Sequence, residues 1–404
     1  MEQETLPPFY FGTVFWGEEY RNYFLRFCLA SMLSPRNIPA LENRAMSCFL
    51  LCTTREDWDA IQGHATFRLL TTYLRPLFIE MPLAVVKNRT TMLAMSWGHE
   101  TLTARAWEAK ACGIVLCPDI IVSDGSIEAL ARLVYMKKAA VLAAGLRFRT
   151  ETLLPAVEAR GLVKDGVPLI LSGRELAAMA LPNMHSETQC YQWETPYLWD
   201  PPVSCIWQIP DQSGILVHTL SWAAVLIDYR RITHHDASVF RSSTMDGDYV
   251  YANFGDSDAI HVVTDSDEVL MVSFTRESAW SLPFLRHWTA RFPRFENYRK
   301  ELILRRFMFS DAIDPLKRRI FRAPVHFHTR SLTPIGREKE REVGTLLDRI
   351  IYPPSRIDAA VTFVGHLLRR AVNAWSICSW LYRNRGFVWQ RVCRKIGFAG
   401  HASN

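Results

Sequence analysis

The sequence predicts an α/β protein, a mainly parallel mixed sheet flanked by helices, followed by a basic and mainly α-helical C-terminal region. Three observations lead there. Short apolar runs rich in branched residues alternate with longer stretches of 3.6-residue periodicity over the first 145 residues, the pattern of parallel strands joined by crossover helices. Hydrophobic residues make up 49% and charged residues 22% of the 404, ordinary for a chain that buries a core. The net charge of +6 is concentrated, because from Arg341 to Asn404 ten basic residues stand against Glu342, Asp348 and Asp358. The body is therefore close to neutral, and the charge marks one localised contact rather than a nucleic-acid-binding surface.

The first strand is expected over Phe9–Phe15 (FYFGTVF). A helix from Glu18 to Leu33 follows, with Tyr20, Tyr23, Phe24, Phe27 and Cys28 on one face, ended by Ser34-Pro35-Arg36-Asn37. Ser47–Cys52 reads as the second strand, and Thr54 with Asp57 as a capping box. Leu74–Ile79 is a third strand and Thr90–Cys112 a long helix with Met92, Met95, Leu102, Ala106 and Ala109 on its apolar side. After Gly113 the run Ile114–Cys117 suits a fully buried strand; Ser126 then caps a helix over Ile127–Lys137, and Ala139–Ala144 is the next strand. Further on, Arg174–Leu181 reads as a helix and Tyr191–Pro210 as an irregular loop with aromatic anchors. Gly214–His218 and Ala223–Tyr229 read as strands.

Several classes are excluded. Neither G-x-G-x-x-G nor G-x-x-x-x-G-K-[ST] occurs, so the dinucleotide fingerprint and the P-loop are absent, as are G-x-S-x-G and H-E-x-x-H. The nine cysteines include no C-x-x-C pair, which fits a reducing compartment. The start MEQETLPPFYFG has no signal-peptide pattern and no run of 18 apolar residues occurs, so a cytoplasmic location is expected.

Carboxylates carry the chemistry. Within Gly113–Ile127 (GIVLCPDIIVSDGSI), Asp119 follows a buried strand, where open α/β sheets bind ligands, and Asp124 lies on the turn Ser123-Asp124-Gly125. Both also read as loop and cap residues. Between Met245 and Glu268 lie three Asp-x-Asp pairs: Asp246/Asp248, Asp256/Asp258 and Asp265/Asp267. On an extended strand each pair would turn both carboxylates to one face, which suits Mg²⁺ or Mn²⁺. Turns between strands favour Asp as well, so each pair also reads as solvated. The spacing does not fit a calcium EF-hand. His218 at a strand end is a candidate base or ligand, His99 is a second candidate on the long helix, and His234-His235 reads as a turn.

The order of these parts resembles the GT-A glycosyltransferases, users of nucleotide-diphosphate sugars, over roughly Phe9–Ser273. CPDIIVSDGSIEAL occupies the place of the family's strand, Asp-x-Asp, loop and helix; Asp119 matches the second aspartate and Cys117 stands at the first. The resemblance implies a GT-A-like Rossmann-type mixed sheet with a nucleotide-binding α/β half (1–150) and an acceptor-side half of the same domain (151–285). The basic helical region (286–404) lies beyond it. It implies transfer of a sugar from a nucleotide-diphosphosugar donor to a glycan or glycoconjugate acceptor. Donor-binding residues would be Thr13, Trp16, Gly17, Thr53, Thr54, Asp119 and Asp124. Asp119 with Asp265 and Asp267 would hold Mg²⁺ or Mn²⁺, and Asp246 or Asp248, before His218, would take the acceptor's proton. Two other readings stay open: a metal-dependent phosphoryl or nucleotidyl transferase using the same acidic pairs, and a catalytically degenerate sugar-nucleotide-fold protein that binds a partner.

The tail allows two arrangements. Over 357–396, Phe363, Leu367, Leu368, Val372, Trp375 and Trp380 make an apolar side interrupted by Arg369 and Arg370, which excludes a spanning helix. Such a helix packs on the body with its arginines solvated, or lies peripherally on an anionic membrane at its inner face. No nucleic acid is expected as a partner, since no recognition motif accompanies the charge.

Overall fold

The central strand, β1 (Phe9–Val14), owes its place to being apolar on both faces. The computed structural model of the protein, which describes residues 6–195, 198–255, 258–280 and 296–352, places Phe9 and Phe11 against Phe24, Phe49 and Ile114 on one side. Gly12 and Val14 lie on the other side under helix Thr91–Glu108. The later strands are β2 (Cys48–Thr53), β3 (Arg75–Glu80), β4 (Cys112–Leu116), β5 (Ile120–Val122), β6 (Ala140–Ala144) and β7 (Arg147–Arg149). Then come β8 (Ser204–Gln208), β9 (Gly214–Thr219), β10 (Trp222–Asp228), β11 (Ile260–Val262), β12 (Met271–Thr275) and β13 (Val325–His328).

Seven strands form the main sheet in the order β11-β6-β10-β4-β1-β2-β3. β1, β2, β3 and β4 are parallel, β11 is parallel to β6, and β10 runs antiparallel to both β4 and β6. The fold is thus mixed α/β with a large sheet flanked by helices. Two three-stranded sheets accompany it, β5-β12-β7 and β13-β9-β8. The chain lays β2 and β3 on one side of β1, then returns to lay β4 on the other. That reversal of strand order, at the carboxyl ends of β1 and β4, is where open α/β sheets usually form their ligand crevice.

The helix after β1 is less regular than its periodicity predicts. Glu18–Tyr23 is α-helical, Phe24–Cys28 is a π turn and Leu29–Met32 resumes the α-helix. The wider turn brings Phe24, Leu25, Phe27 and Cys28 all into the core. The long helix stops at Glu108 rather than Cys112, because Lys110 takes a left-handed φ of 50° and Cys112 is already the first residue of β4. Ser126 does not cap the next helix but begins it (Ser126–Tyr135). Gly125 at φ 95° precedes it, and the Ser126 hydroxyl is spent on Ser123 and on the Leu270 N–H. The Trp- and Pro-rich stretch Tyr191–Pro210, read as loop, contains β8, whose Cys205 and Trp207 enter a core that β9 closes.

Asp246/Asp248 and Asp265/Asp267 do not lie on extended strands. In each pair the first carboxylate accepts the N–H of the second residue, at 2.9 Å and 2.7 Å. These are the local turns that Asp favours. Asp256 and the 357–396 helix lie outside the described residues. Among the described residues no helix is long and apolar enough to cross a membrane.

The contact of helix Thr91–Glu108 with β1 is tight. A Cβ at Gly98 would lie 2.6 Å from both γ-carbons of Val14, a stiff branched side chain on a central strand. Gly98→Ala is expected to lower stability by about 1–3 kcal/mol through overpacking. Gly63→Ala, which meets nothing within 4 Å, should change it by less than about 0.5 kcal/mol. Urea unfolding of both variants checks this.

Candidate functional site

At the carboxyl edge of the sheet, the ends of β1 and β2 are tied together by one carboxylate. Asp57, 3% exposed, accepts the Gly17 N–H (2.9 Å), the Arg21 guanidinium (2.7 Å) and the Thr54 hydroxyl (2.7 Å). Thr54 in return accepts the Asp57 N–H as N-cap of helix Arg55–Gln62. The sequence marks Asp57 as a cap; its part in fixing the Trp16-Gly17 loop comes from contacts 36 and 40 residues away in the chain, which no local pattern signals. Thr13 and Thr53 are fully buried with hydroxyls that have no partner in the protein, so neither reaches the surface where a donor would bind. Trp16, half-buried, and Gly17, exposed, form the surface of this strand end.

Cys117 and Asp119 follow β4 on the other side of the crevice. The Asp119 carbonyl accepts the Phe274 N–H at 3.0 Å, which joins this loop to the β5-β12-β7 sheet. Cys117 is exposed and Asp119 half-buried, yet surrounding protein desolvates both. Burial, helped by the Asp119 charge, pushes the Cys117 thiol up to about 12, so it is a neutral thiol at physiological pH. Burial also raises the Asp119 carboxyl, with the Arg147 guanidinium pulling the other way. Cys117 and Asp119 thus form a partly open, largely desolvated strand end. Tyr20 stands beside it, its phenol raised by burial and by the Asp119 charge and lowered by Arg147 and Arg276. Its ring lies 5.8 Å from that of Tyr23. Tyr23 lines an adjoining groove of about 330 Å³ with Glu19, Arg26, Thr150, Glu158 and Arg276. Nothing in the local sequence marks Arg147, which starts β7, or Arg276, which follows β12; the pairing of β12 with β5 and β7 brings them to this side of the molecule.

Asp246 stands over the same edge. It is the N-cap of helix Gly247–Asn253, accepts the Ser243 hydroxyl at 2.9 Å, and burial raises its carboxyl. A Cβ on the next residue, Gly247, would lie 3.4 Å from that of Trp222, the residue of β10 that pairs with Ala144 at the carboxyl end of β6. Asp248 points instead to Lys317, 2.8 Å away. His99 holds this loop from below: its Nδ1 accepts the Met245 N–H at 3.1 Å, and burial lowers the ring to about 4, so it stays neutral.

Other sequence-predicted residues belong elsewhere. His218 is 1% exposed, donates from Nδ1 to the Phe321 carbonyl at 3.0 Å and meets Trp207 edge-on, with burial lowering it to about 3. It is a core histidine between β9 and helix Pro315–Arg322, closed off from substrate. The Asp124 carboxylate accepts the Arg36 N–H at 2.9 Å and fixes a turn.

Asp265 and Asp267 do not join Asp119. β12 runs antiparallel to β5, from Met271 opposite Val122 to Ser273 opposite Ile120, so the 265–267 turn and Asp119 lie beyond opposite ends of that ladder. The three residues from Asp119 to Val122 alone span about 10 Å of strand. Asp265 and Asp267 instead meet His328, with potential ligand atoms all within 4.8 Å of one another, a group that could hold a metal ion. Its members are already matched: His328 Nε2 to Asp265 Oδ1 at 2.7 Å, and Arg174 to Asp267 at 2.7 Å. A cation would displace the proton His328 shares with Asp265, since imidazole binds metal only when neutral.

Two expectations follow. Asp57→Ala removes the acceptor shared by Arg21, Thr54 and Gly17, and should cost about 2–4 kcal/mol in urea unfolding. The Asp265 partner raises His328, and the His328 bond lowers Asp265. The pair therefore contributes fully between the unfolded carboxylate and imidazole values, about pH 4 to 6.5. Its contribution fades as pH rises through the raised His328 value or falls through the lowered Asp265 value. The stability difference between the wild type and Asp265→Asn, followed by urea midpoint against pH, should be largest in that window.

No family model matches the chain. No curated protein matches it either. Among solved structures it is similar to a Bacillus anthracis protein described as a glucose-1-phosphate thymidylyltransferase, in complex with a sucrose, at 11% identity and a TM-score of 0.23. The match covers 36% of this chain and 57% of that one, so the chain spans little more than half of that protein's length, and likeness at this score carries no argument about fold or function.

Proposed function

We propose that the protein transfers a sugar from a nucleotide-diphosphosugar to a hydroxyl acceptor. The observation that carries this is the strand-order reversal between β1 and β4, which brings Trp16-Gly17 after one strand beside Cys117–Asp119 after the other. The nucleotide would lie across the ends of β1 and β2, on Trp16 and the loop that Asp57 fixes. Its diphosphate would lie toward Asp119 and Arg147. The groove beside Tyr23 offers ring edges and the ion pairs Arg26–Glu158 and Arg276–Glu19, polar groups suited to sugar hydroxyls.

In the transfer, the acceptor hydroxyl gives its proton to a carboxylate while its oxygen bonds to the anomeric carbon. The bond from that carbon to the phosphate oxygen breaks, and the nucleoside diphosphate leaves with the electron pair. Asp246 is the better candidate base: burial raises its carboxyl toward the range useful for proton transfer, whereas Asp248 is matched by Lys317. Cations near the departing diphosphate would stabilise its growing charge. Mg²⁺ or Mn²⁺ does not fit the β4 end, where a neutral thiol and one carboxylate replace a pair of hard oxygen ligands.

A second reading, metal-dependent phosphoryl or nucleotidyl transfer, is favoured by the Asp265–Asp267–His328 group. Thermal shift against UDP-, GDP- and CMP-sugars and nucleoside triphosphates, with and without Mn²⁺, separates the two. A melting-temperature rise with a nucleoside-diphosphate sugar supports glycosyl transfer. A rise with a triphosphate alone, dependent on Mn²⁺, supports the second, and no response to any nucleotide refutes both.

A further inference from the structure

We infer that the donor's diphosphate is held at the end of β4 by the Arg147 guanidinium and not through a divalent cation bound by the strand-end carboxylates. This rests on the reading of the edge as a nucleotide-diphosphosugar site and names what neutralises the leaving group there.

The donor set comes first. A hard dication at this place needs converging oxygen ligands, and the strand end supplies Cys117 and a single carboxylate, Asp119. The other aspartates that the sequence suggests as ligands or donor contacts are engaged elsewhere: Asp124 with the Arg36 backbone, Asp265 with His328, Asp267 with Arg174. Among the described residues, the group that could hold a metal ion contains neither Cys117 nor Asp119.

The same place holds a fixed positive charge. Arg147 begins β7, opposite Ser273 of β12, in the sheet that β5 extends from Asp119. Its backbone is clamped by Thr188: the Arg147 N–H donates to the Thr188 hydroxyl oxygen, which donates in turn to the Arg147 carbonyl, both at 2.9 Å. The side chain is 46% exposed and meets Glu187 through Nε at 3.3 Å. Register sets it near the β4 end: Arg147 lies opposite Ser273, Ser273 lies opposite Ile120, and the N–H of the next residue, Phe274, donates to the Asp119 carbonyl. Its charge accordingly acts to lower the Asp119 and Cys117 groups. A guanidinium carries five N–H donors in a planar fork that matches phosphate oxygens two at a time. Asp119 would take a ribose or sugar hydroxyl without needing a metal. Arg276, which follows β12, is held by Glu19 at 2.7 Å.

The test measures binding of UDP and GDP by isothermal titration to the full chain, in EDTA and in Mn²⁺. The wild type should bind one of them in EDTA, with less than a twofold change on adding Mn²⁺. Arg147→Gln should weaken binding in EDTA by about tenfold or more, the size of a lost charge-assisted contact, while Arg147→Lys recovers part of the loss. Cys117→Asp restores a carboxylate pair and should make binding respond to Mn²⁺. Binding only when Mn²⁺ is present, or equal affinity of Arg147→Gln and wild type in EDTA, overturns the inference and leaves the glycosyltransferase reading standing. No binding of either nucleotide under either condition overturns that reading and the inference with it. Unchanged melting temperatures for the exposed Arg147 variants show that affinity, not folding, has moved.

Discussion

The approach of helix Thr91–Glu108 to the sheet is the constraint on which the site depends. The helix carries the chain from the β3 edge back across β2 and β1 to β4, and this return creates the strand-order reversal. It lies close because the positions it crosses carry no side chain. A Cβ on Gly12 would meet Leu102 at 3.0 Å, and one on Gly113 would meet Tyr229 at 2.6 Å and Ala106 at 3.3 Å. The same helix presents Ser96, whose hydroxyl donates to the Ser243 carbonyl at 2.7 Å, and His99, which receives the Met245 N–H. One element therefore fixes the crevice and also the loop that sets Asp246 above it.

Burial sorts the aspartates of this chain by role. Asp124 takes the Arg36 backbone N–H, Asp267 is matched by the Arg174 guanidinium, and Asp265 by an imidazole that lowers it. Asp248 has Lys317. These carboxylates hold loops together. Asp119 and Asp246 differ: both are half-buried, and burial raises both. A carboxyl kept partly desolvated beside open space, without a direct cation to settle it, is poised to exchange protons or bind polar ligands, which is why such groups gather at functional sites. The two stand at the same carboxyl edge. Arg147, which acts on Asp119, follows Gly145 by two residues, and Gly145 donates its N–H to the carbonyl of Ser221, next to Trp222 beneath Asp246.

The first half of the chain was largely legible from sequence because its strands are apolar on both faces and its helices obey one period. β1, β2, β3, β4 and β6 fall within about two residues of their expected bounds. What could not be read were features set by distant contacts. The π turn at Phe24–Cys28 puts Phe24, Leu25, Phe27 and Cys28 in the core while Arg26 stays exposed, and periodicity alone sees a plain helix. β8 was hidden because aromatic and proline residues around it resemble a loop, and its partner β9 is needed to make it a strand. The small sheet β5-β12-β7 joins segments up to 150 residues apart, so Arg147 and Arg276 carried no local mark. Among the candidate residues, the aspartates were seen as pairs because spacing is visible; that each pair closes its own turn is a backbone choice that spacing does not reveal. His218 illustrates the same limit. A strand-end histidine before Thr219 looks exposed in sequence, and only β13 with helix Pro315–Arg322 seals it.

The two flanks of the crevice are built in different ways, and that bears on how such a site would diversify. The Asp119 flank is held by a ladder: its carbonyl takes the Phe274 N–H, β12 pairs on both edges, and Thr188 clamps Arg147. Shifting any member moves several others, so the place where negative charge would depart is rigid. The Asp246 flank rests on a short helix that Asp246 itself caps, braced by separate side-chain contacts: His99 and Ser96 to the loop before it, Lys317 to Asp248 and Tyr229 to Tyr249. These contacts are single side-chain links rather than a paired ladder, so the loop around Asp246 can change one link at a time. Under the proposed transfer, a rigid leaving-group side facing a locally braced acceptor side would let the chain keep one donor chemistry while the acceptor pocket varies.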